Sequence, residues 1–187
     1  MTIENAALLI VDVQQGLKEP KWGPRNNPEA EENIGRLLAY WRNTQRPVIH
    51  IQHCSTEPDS PLRPDRPGNA FQDVVAPQAS EPIFQKTVNS AFIGTDLETY
   101  LRERAINTLV VVGLTTNHCV STTVRMAGNL GFTTFVVADA TATFDRVGPD
   151  GTLYKAAQVH AISLASLHDE FATVVTTETL LTAAPVT

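Results

Sequence analysis

Three side chains in this 187-residue sequence have types and placements suited to covalent chemistry. Cys119 ends the tract Gly113-Leu-Thr-Thr-Asn-His-Cys119, just past a β-branched run and at the start of a helix-period segment. A cysteine there feels the positive end of the helix dipole, which favours thiolate, the nucleophilic form. Asp12 closes the apolar run Ala7-Leu-Leu-Ile-Val-Asp12, and Lys86 closes Ile83-Phe-Gln-Lys86. A carboxylate can take the thiol proton, and a lysine can hold the resulting charge. The strand-to-helix turn before Cys119 also offers backbone N–H groups suited to an oxyanion hole. Each residue has a plain structural reading beside the chemical one: an inert thiol, a turn-capping acid, a solvated surface lysine. Spacing along the chain does not decide between them.

The elements that must position these residues are legible as short β-branched runs alternating with helix-period segments. Strands are expected at Ala7–Asp12, Pro47–Gln52, Ile83–Lys86, Thr108–Gly113, Thr133–Val137 and Thr173–Val175. Their nearly continuous apolar character suits parallel strands covered on both faces. Asn27–Pro28 opens the first helix, with Pro28 at its first position and Ile34, Leu37, Leu38 and Trp41 forming one apolar stripe. Thr95 and Glu98 spell a capping box for a helix to about Arg104. A third helix runs from near Asn117 to Gly131, and a last one carries Leu153, Ala157, His160, Leu164 and Leu167 on one face. Between Cys54 and Pro82 lie Pro58, Pro61, Pro64, Pro67 and Pro77 with no sustained period. Such a long loop is usually functional. Strand–helix alternation implies an α/β fold, a doubly wound parallel sheet with right-handed crossovers. Ligands bind such sheets beyond the carboxyl ends of the strands, where Asp12, Lys86 and Cys119 all fall.

Composition narrows the class. With 42% apolar and 18% charged residues the chain is of ordinary globular type, and its length fits one domain spanning residues 1–187. A formal charge of −6 argues against nucleic acid or an anionic membrane surface as partner. No apolar run approaches the roughly 20 residues needed to cross a bilayer. The start MTIENAALLIVDVQQ lacks the basic segment and cleavage site of a secretory signal, and two cysteines make no disulfide scaffold. A cytoplasmic protein with free thiols is expected.

Three separated motifs carry a resemblance. Leu8-Leu-Ile-Val-Asp12-Val-Gln14, Lys86-Thr-Val-Asn89-Ser90-Ala91-Phe92 and Gly113-Leu-Thr-Thr-Asn-His-Cys119-Val are similar, in order, to those of the isochorismatase-like cysteine hydrolases. The similarity runs from about residue 5 to residue 180. It implies a Rossmann-like three-layer sandwich with a six-stranded parallel sheet, order 3-2-1-4-5-6, and a homodimer or homotetramer. The apolar tail around Leu180, Leu181 and Pro185 lends self-association weak support. By the same resemblance Asp12 is the general base, Cys119 the nucleophile and Lys86 the residue that orients Asp12. The backbone N–H groups of Thr115 and Cys119 form the oxyanion hole, and the Leu114–Thr115 peptide bond is cis. Gln14, Asn89, Phe92 and Thr116 are the implied pocket residues. Trp22 and Phe71 join them from loop position.

Members that cleave the vinyl ether of isochorismate lack this cysteine, so Cys119 favours hydrolysis of an amide, carbamoyl or lactam C–N bond. Nicotinamidase-type members bind a metal through Asp-x-His and further histidines. This chain reads His50-Ile-Gln-His53-Cys54 at that place, and residues three apart on a strand end point to opposite faces. No metal and no cofactor are expected, with His53 lining the pocket. His118 stands open between pocket lining and outward packing. His160 reads as a satisfied core or interface histidine, Asp139 as a loop hydrogen-bonder and Cys54 as an inert thiol. The expected partners are a small amide-type substrate and water. A redox-sensing thiol protein and a non-catalytic binding module on the same fold are the alternatives.

Overall fold

The computed structural model describes residue 3 and residues 5–182. The strands β1 (Ala7–Val11), β2 (Val48–His53), β3 (Ile83–Lys86), β4 (Thr108–Leu114) and β5 (Thr133–Ala142) lie within ladders of one sheet. A two-stranded ribbon, β6 (Arg146–Val147) with β7 (Leu153–Tyr154), interrupts the series before β8 (Thr173–Val175) completes the sheet. The order is β3-β2-β1-β4-β5-β8, with every pair parallel. This is the expected 3-2-1-4-5-6 arrangement, the ribbon accounting for the higher number of the last strand.

Alternation along the strands divides the core between two faces. Ala7, Leu9 and Val11 of β1 join Ile49, Ile51, Leu109, Val111 and Val136 under α2 (Leu97–Glu103) and α3 (Ser121–Asn129). Leu8 and Ile10 join Val48, Val110, Val112 and Val137 on the opposite face. There Ile34, Leu37, Leu38 and Trp41 of α1 (Ala30–Asn43) and Leu180 of α5 (Thr177–Thr182) cover them. All five residues of β1 are buried, the signature of a parallel strand roofed by helices on both sides.

Several local expectations are corrected. Helix α1 begins at Ala30, because Pro28 and Glu29 form a turn closed by the Ala30 N–H on the Asn27 carbonyl at 3.0 Å. The capping box at α2 does not form. Thr95 Oγ1 instead donates to the Ala91 carbonyl, while Glu98 meets Arg102 at 3.4 Å. Leu153 sits in β7 rather than on α4 (Ala156–Ala165), and Ala157 is exposed. The described part of the tail is not free: Leu180 is wholly buried in its own chain's core and Leu181 packs beside it, while Pro185 lies outside the described residues. Exposed apolar side chains are found instead at Val147, Leu153, Tyr154 and Ile162.

Two irregularities shape the carboxyl edge of the sheet. Strand β5 is longer than its apolar run suggests: Val111 pairs with Val136 but Gly113 with Thr141, so β5 spends five residues where β4 spends two. The bulge leaves carbonyls off the ladder, and the loop before α1 and the first turn of α1 satisfy them. Asn27 Nδ2 donates to the Ala138 and Thr141 carbonyls at 2.8 and 2.7 Å, and Asn33 Nδ2 to Asp139 at 2.9 Å. The bulge carries the chain onward over the site. At the second irregularity Gly113 adopts φ +121°, and a Cβ there would lie 2.0 Å from the Val11 carbonyl oxygen. Backbone cannot yield as a flexible side chain can. Among the described residues no helix is long and apolar enough to cross a membrane.

Gly113→Ala must therefore separate β4 from β1 beside Asp12. Relief of a backbone clash at a forbidden φ falls among the largest single-residue effects, about 4 kcal/mol or more. The expected outcome is a Tm lowered by at least ~8 °C, or loss of folded protein, read by thermal unfolding against wild type.

Candidate active site

At the carboxyl edge the strand ends lie in register. Val11 is paired with Ile51 and Gly113, and His53 with Lys86. The residues just beyond these pairs therefore converge. Asp12 turns away from β1 with φ +53°, a left-handed conformation that aspartate tolerates better than most residues. Lys86 Nζ donates to Asp12 Oδ2 at 2.6 Å, and both side chains are almost wholly out of solvent. Lys86 Nζ also donates to His53 Nδ1 at 3.2 Å, which places the imidazole proton on Nε2. The second oxygen of Asp12, Oδ1, is buried with no partner.

Cys119 stands in a π-helical turn, Thr116–Val120, that leads into α3. One polar atom from each of Asp12, His53 and Cys119 lies within 4.8 Å of the others. The thiol donates to Asn89 Oδ1 at 3.8 Å. Burial first, and then the nearby Asp12 carboxylate, push the thiol well above the ordinary range, while Lys86 pulls the other way. This corrects the thiolate expectation: Cys119 precedes the regular helix, and desolvation outweighs any help from the dipole. His53 is held below the usual imidazole range by burial and then by Lys86, so it is neutral at neutral pH.

These groups open on a cavity of about 160 Å³, small beside the roughly 300–1,000 Å³ of drug-sized sites. Asp12, His53, Asn89, Thr115 and Cys119 line it, as does Trp22, and His118 faces it too. The Leu114–Thr115 peptide bond is cis.

Four expected pocket residues lie elsewhere. Gln14 is wholly buried, its amide spent on the His53 and Asn69 carbonyls and the His53 N–H. It pins the tip of β2 rather than meeting a ligand. Phe92 stacks on Phe132 in the core at a centroid distance of 5.8 Å. Thr116 is buried with Oγ1 2.9 Å from His160 Nδ1, which also satisfies that histidine. Phe71 bridges Gln14 and sets its edge against His50. His50 itself is turned from the site toward Glu81, 2.8 Å away. Asp139 accepts from the Thr177 N–H and hydroxyl at the start of α5. Cys54 is a buried free thiol.

Leu17, Ser60, Leu62, Leu114, Phe144 and Arg146 complete the lining. Ser60 and Leu62 come from the proline-rich loop, which Asn69 organises by donating to the Leu62 and His53 carbonyls at 2.7 and 3.0 Å. Phe144 and Arg146 follow β5, and their signal was available: chain leaving the carboxyl end of a central strand passes over the site.

A metal ligand set is superficially present in Asp12, His53 and Cys119. The Lys86 ammonium contacts two of these three at 2.6 and 3.2 Å and so occupies the position a cation would take. Like charge at that range repels a metal ion.

A parallel sheet of this order, with a cavity at its carboxyl edge, is the architecture of a family of hydrolases. The chain belongs to the isochorismatase family, whose domain model matches residues 6–179. It is 53% identical over 178 residues to the uncharacterized isochorismatase family protein YrdC of Bacillus subtilis, covering 95% of each chain. The crystal structure of an isochorismatase-family protein from Chromobacterium violaceum superposes with a TM-score of 0.94 at 44% identity, over 98% of this chain and 95% of that one. Maleamate amidohydrolase of Pseudomonas putida is 31% identical over 150 residues, covering 71% of this chain and 70% of its own. The protein is a hydrolase of this family.

The raised thiol gives a direct expectation. A group whose acid form is favoured in the folded state stays protonated until the pH exceeds its raised value. The thiolate absorbance near 240 nm, taken as wild type minus Cys119→Ala, is expected to be absent from about pH 7 to pH 9. A thiolate step below about pH 9 would contradict it.

Proposed function

We propose that the protein is a metal-free cysteine amidase that hydrolyses a small non-peptide amide, carbamoyl or lactam C–N bond through a thioester. The observation that carries this is the buried contact of Lys86 with Asp12 Oδ2, with Oδ1 left without a partner and an Asp12 carboxylate oxygen within 4.8 Å of the Cys119 sulfur. Two charges withdrawn from water are a poor stabilising device, because well-packed apolar residues would serve the fold as well or better. A reactive acid beside a nucleophile accounts for their retention.

In this reaction Asp12 Oδ1 takes the Cys119 proton as sulfur attacks the carbonyl carbon, so a resting thiol is no obstacle. Lys86 holds the carboxylate in place and offsets its charge. The developing oxyanion is held by the Thr115 and Cys119 N–H groups, each such donor being worth about 2.7–4 kcal/mol in comparable sites. Asp12 then gives the proton to the leaving nitrogen, which departs as amine or ammonia and leaves a thioester. Asp12 next deprotonates a water, which attacks the thioester, and the acid product leaves as the thiol is restored. Asn89 and neutral His53 are placed to hydrogen-bond the substrate. The amidohydrolase activity of the Pseudomonas putida relative supports the choice of bond.

Cys119→Ala is expected to reduce turnover by at least ~10³-fold on an amide that wild type cleaves, with the fold unchanged. Wild type quenched in acid during turnover should carry an acyl mass on the peptide containing Cys119, and Cys54→Ala should carry it too. A redox-sensing thiol or a binding module would give no such adduct.

Because Lys86 occupies the cation position, dialysis against a chelator is expected to leave the rate within about 20% of its starting value. Added zinc should inhibit, if it acts at all, by capturing the thiol. Loss of activity to the chelator with recovery on adding back one divalent ion would overturn the metal-free assignment.

A further inference from the structure

Trp22 belongs to two voids at once. It lines the reaction cavity of about 160 Å³ and also an outer groove of about 420 Å³, whose rim carries Lys21, Glu57, Pro58 and Asp59. Ser60 is the one other residue that the two linings share among the described residues. A serine side chain blocks little space, so the bulk of the wall between the voids is the indole.

The surroundings of Trp22 hold it still. It ends a short 3-10 turn, Pro20–Trp22, and packs against the small cluster of Leu17, Leu62 and Leu114. Its ring stacks on Phe144 at 6.0 Å between centroids. Lys21 Nζ lies 5.1 Å from the indole centroid and donates to the Asp59 carbonyl at 3.2 Å, which ties this turn to the proline-rich loop. Nearby, a Cβ on Gly68 would lie 2.6 Å from the Pro61 carbonyl oxygen and 2.9 Å from Gly16 Cα. The two segments therefore meet backbone to backbone, and contact that close leaves no room to slide. The wall is a fixed partition.

The chemistry of the indole narrows what it can do there. Tryptophan has one hydrogen-bond donor and no acceptor. Trp22 spends that donor on the Gly16 carbonyl at 2.7 Å, within its own chain. Its ring is only half-buried, so one part of it is left to meet a ligand, through shape and apolar surface alone.

We propose that Trp22 sets the upper size limit of the substrate's acyl group, by walling the reaction cavity off from the outer groove. An acyl group bonded to the Cys119 sulfur lies in the cavity that Cys119 and Trp22 both line. A compact chain fits, and a longer one meets a ring that cannot yield. One methylene too many in an apolar pocket typically costs about tenfold or more in discrimination. Removing the ring joins the two voids into one slot, in which the same chain can run out toward Pro58. The assignment deepens the amidase reading and rests on it for the acyl-enzyme, but the wall is measurable without turnover.

The test loads Cys119 with alkyl groups of graded length in the Cys54→Ala protein, where one thiol remains. Methyl, propyl and hexyl methanethiosulfonate each transfer an alkylthio group to that sulfur. An S–S bond forms, the bond to the sulfonyl sulfur breaks, methanesulfinate leaves and the thiol proton goes to solvent. Rates are read by intact mass at about pH 9, each divided by the rate with a small free thiol. The hexyl reagent is expected to react at least about tenfold more slowly than the methyl reagent. Adding Trp22→Ala should bring the two within about threefold, while Trp22→Phe should keep most of the limit because a ring still fills the gap. Equal rates for methyl and hexyl before any change at Trp22, no reaction even with the methyl reagent, or a limit that survives Trp22→Ala would overturn the proposal. Thermal unfolding checks each variant, and if Trp22→Ala does not fold, Trp22→Leu removes the ring while keeping apolar packing. Turnover is measured separately. A size limit that depends on Trp22 with no amide cleaved would leave the wall standing and remove the amidase reading; amides cleaved without regard to chain length or Trp22 would do the reverse.

Discussion

The site depends on one contact, the ion pair between Asp12 and Lys86. Each charge withdrawn from water costs several kcal/mol even after relaxation. The 2.6 Å approach offsets that cost only if β1 and β3 end at the same level. They are not neighbours; β2 lies between them and contributes His53, whose Nδ1 accepts a second hydrogen bond from the ammonium. Three strands must therefore stop in register. The pairs Val11 with Ile51 and His53 with Lys86 are where that register is seen. A slip of one residue on any of them would reverse its side chains and strand a buried charge. Strand β3 is the weakest of the three by burial, since only Lys86 is buried along it. Its place is held from the other end by Glu81, which takes Arg42 and His50 and meets the Gln78 N–H.

Around that pair the protein keeps its nucleophile half-buried. Burial raises the thiol at the same time as it sharpens every electrostatic contact in the cavity. A thiolate formed in advance would be easily oxidised and costly to bury. A thiol that loses its proton only as bonds form avoids both, and places the demand on Asp12. The proline-rich loop and the chain beyond β5 close the cavity from two sides, and amide side chains satisfy backbone carbonyls on both. Asn69 and Gln14 do so at the first, Asn27 and Asn33 in the β5 bulge that leads into the second. Neutral donors can satisfy buried carbonyls without adding a field that would disturb the neighbouring ion pair.

Legibility followed the range of the interactions. The β-branched runs marked all six sheet strands, because burial on both faces demands a continuous apolar stretch whatever its neighbours are. The ends were less certain. Val137 looked terminal for β5, yet the strand continues to Ala142 through a bulge whose carbonyls depend on Asn27 and Asn33, more than a hundred residues away in sequence. The capping box at Thr95 failed for a local reason: Asp96 takes the N-cap position, and the Thr95 hydroxyl donates to the Ala91 carbonyl and accepts from the Leu97 N–H. Gln14, Phe92 and Thr116 sit beside motif residues in sequence but face the core. Adjacency along a strand or turn alternates direction, so a neighbour of a site residue commonly points away from it.

What the sequence determined by itself was the set of reactive groups and the edge on which they meet. Asp12, Lys86 and Cys119 each follow an apolar run, and parallel strands can deliver such termini only to one end of a sheet. The tertiary structure alone decided their protonation and company. Whether the thiol is ionised depends on how much water the cavity admits, which no spacing encodes. That Arg146 lines the cavity with no carboxylate partner among the described residues, while Asp145 beside it is spent on Lys155 and the Ala156 N–H, is likewise set by the ribbon after β5. Charge on a side chain is local and written in the residue type. Its counter-ion is a matter of packing, and packing exists only once the chain has folded.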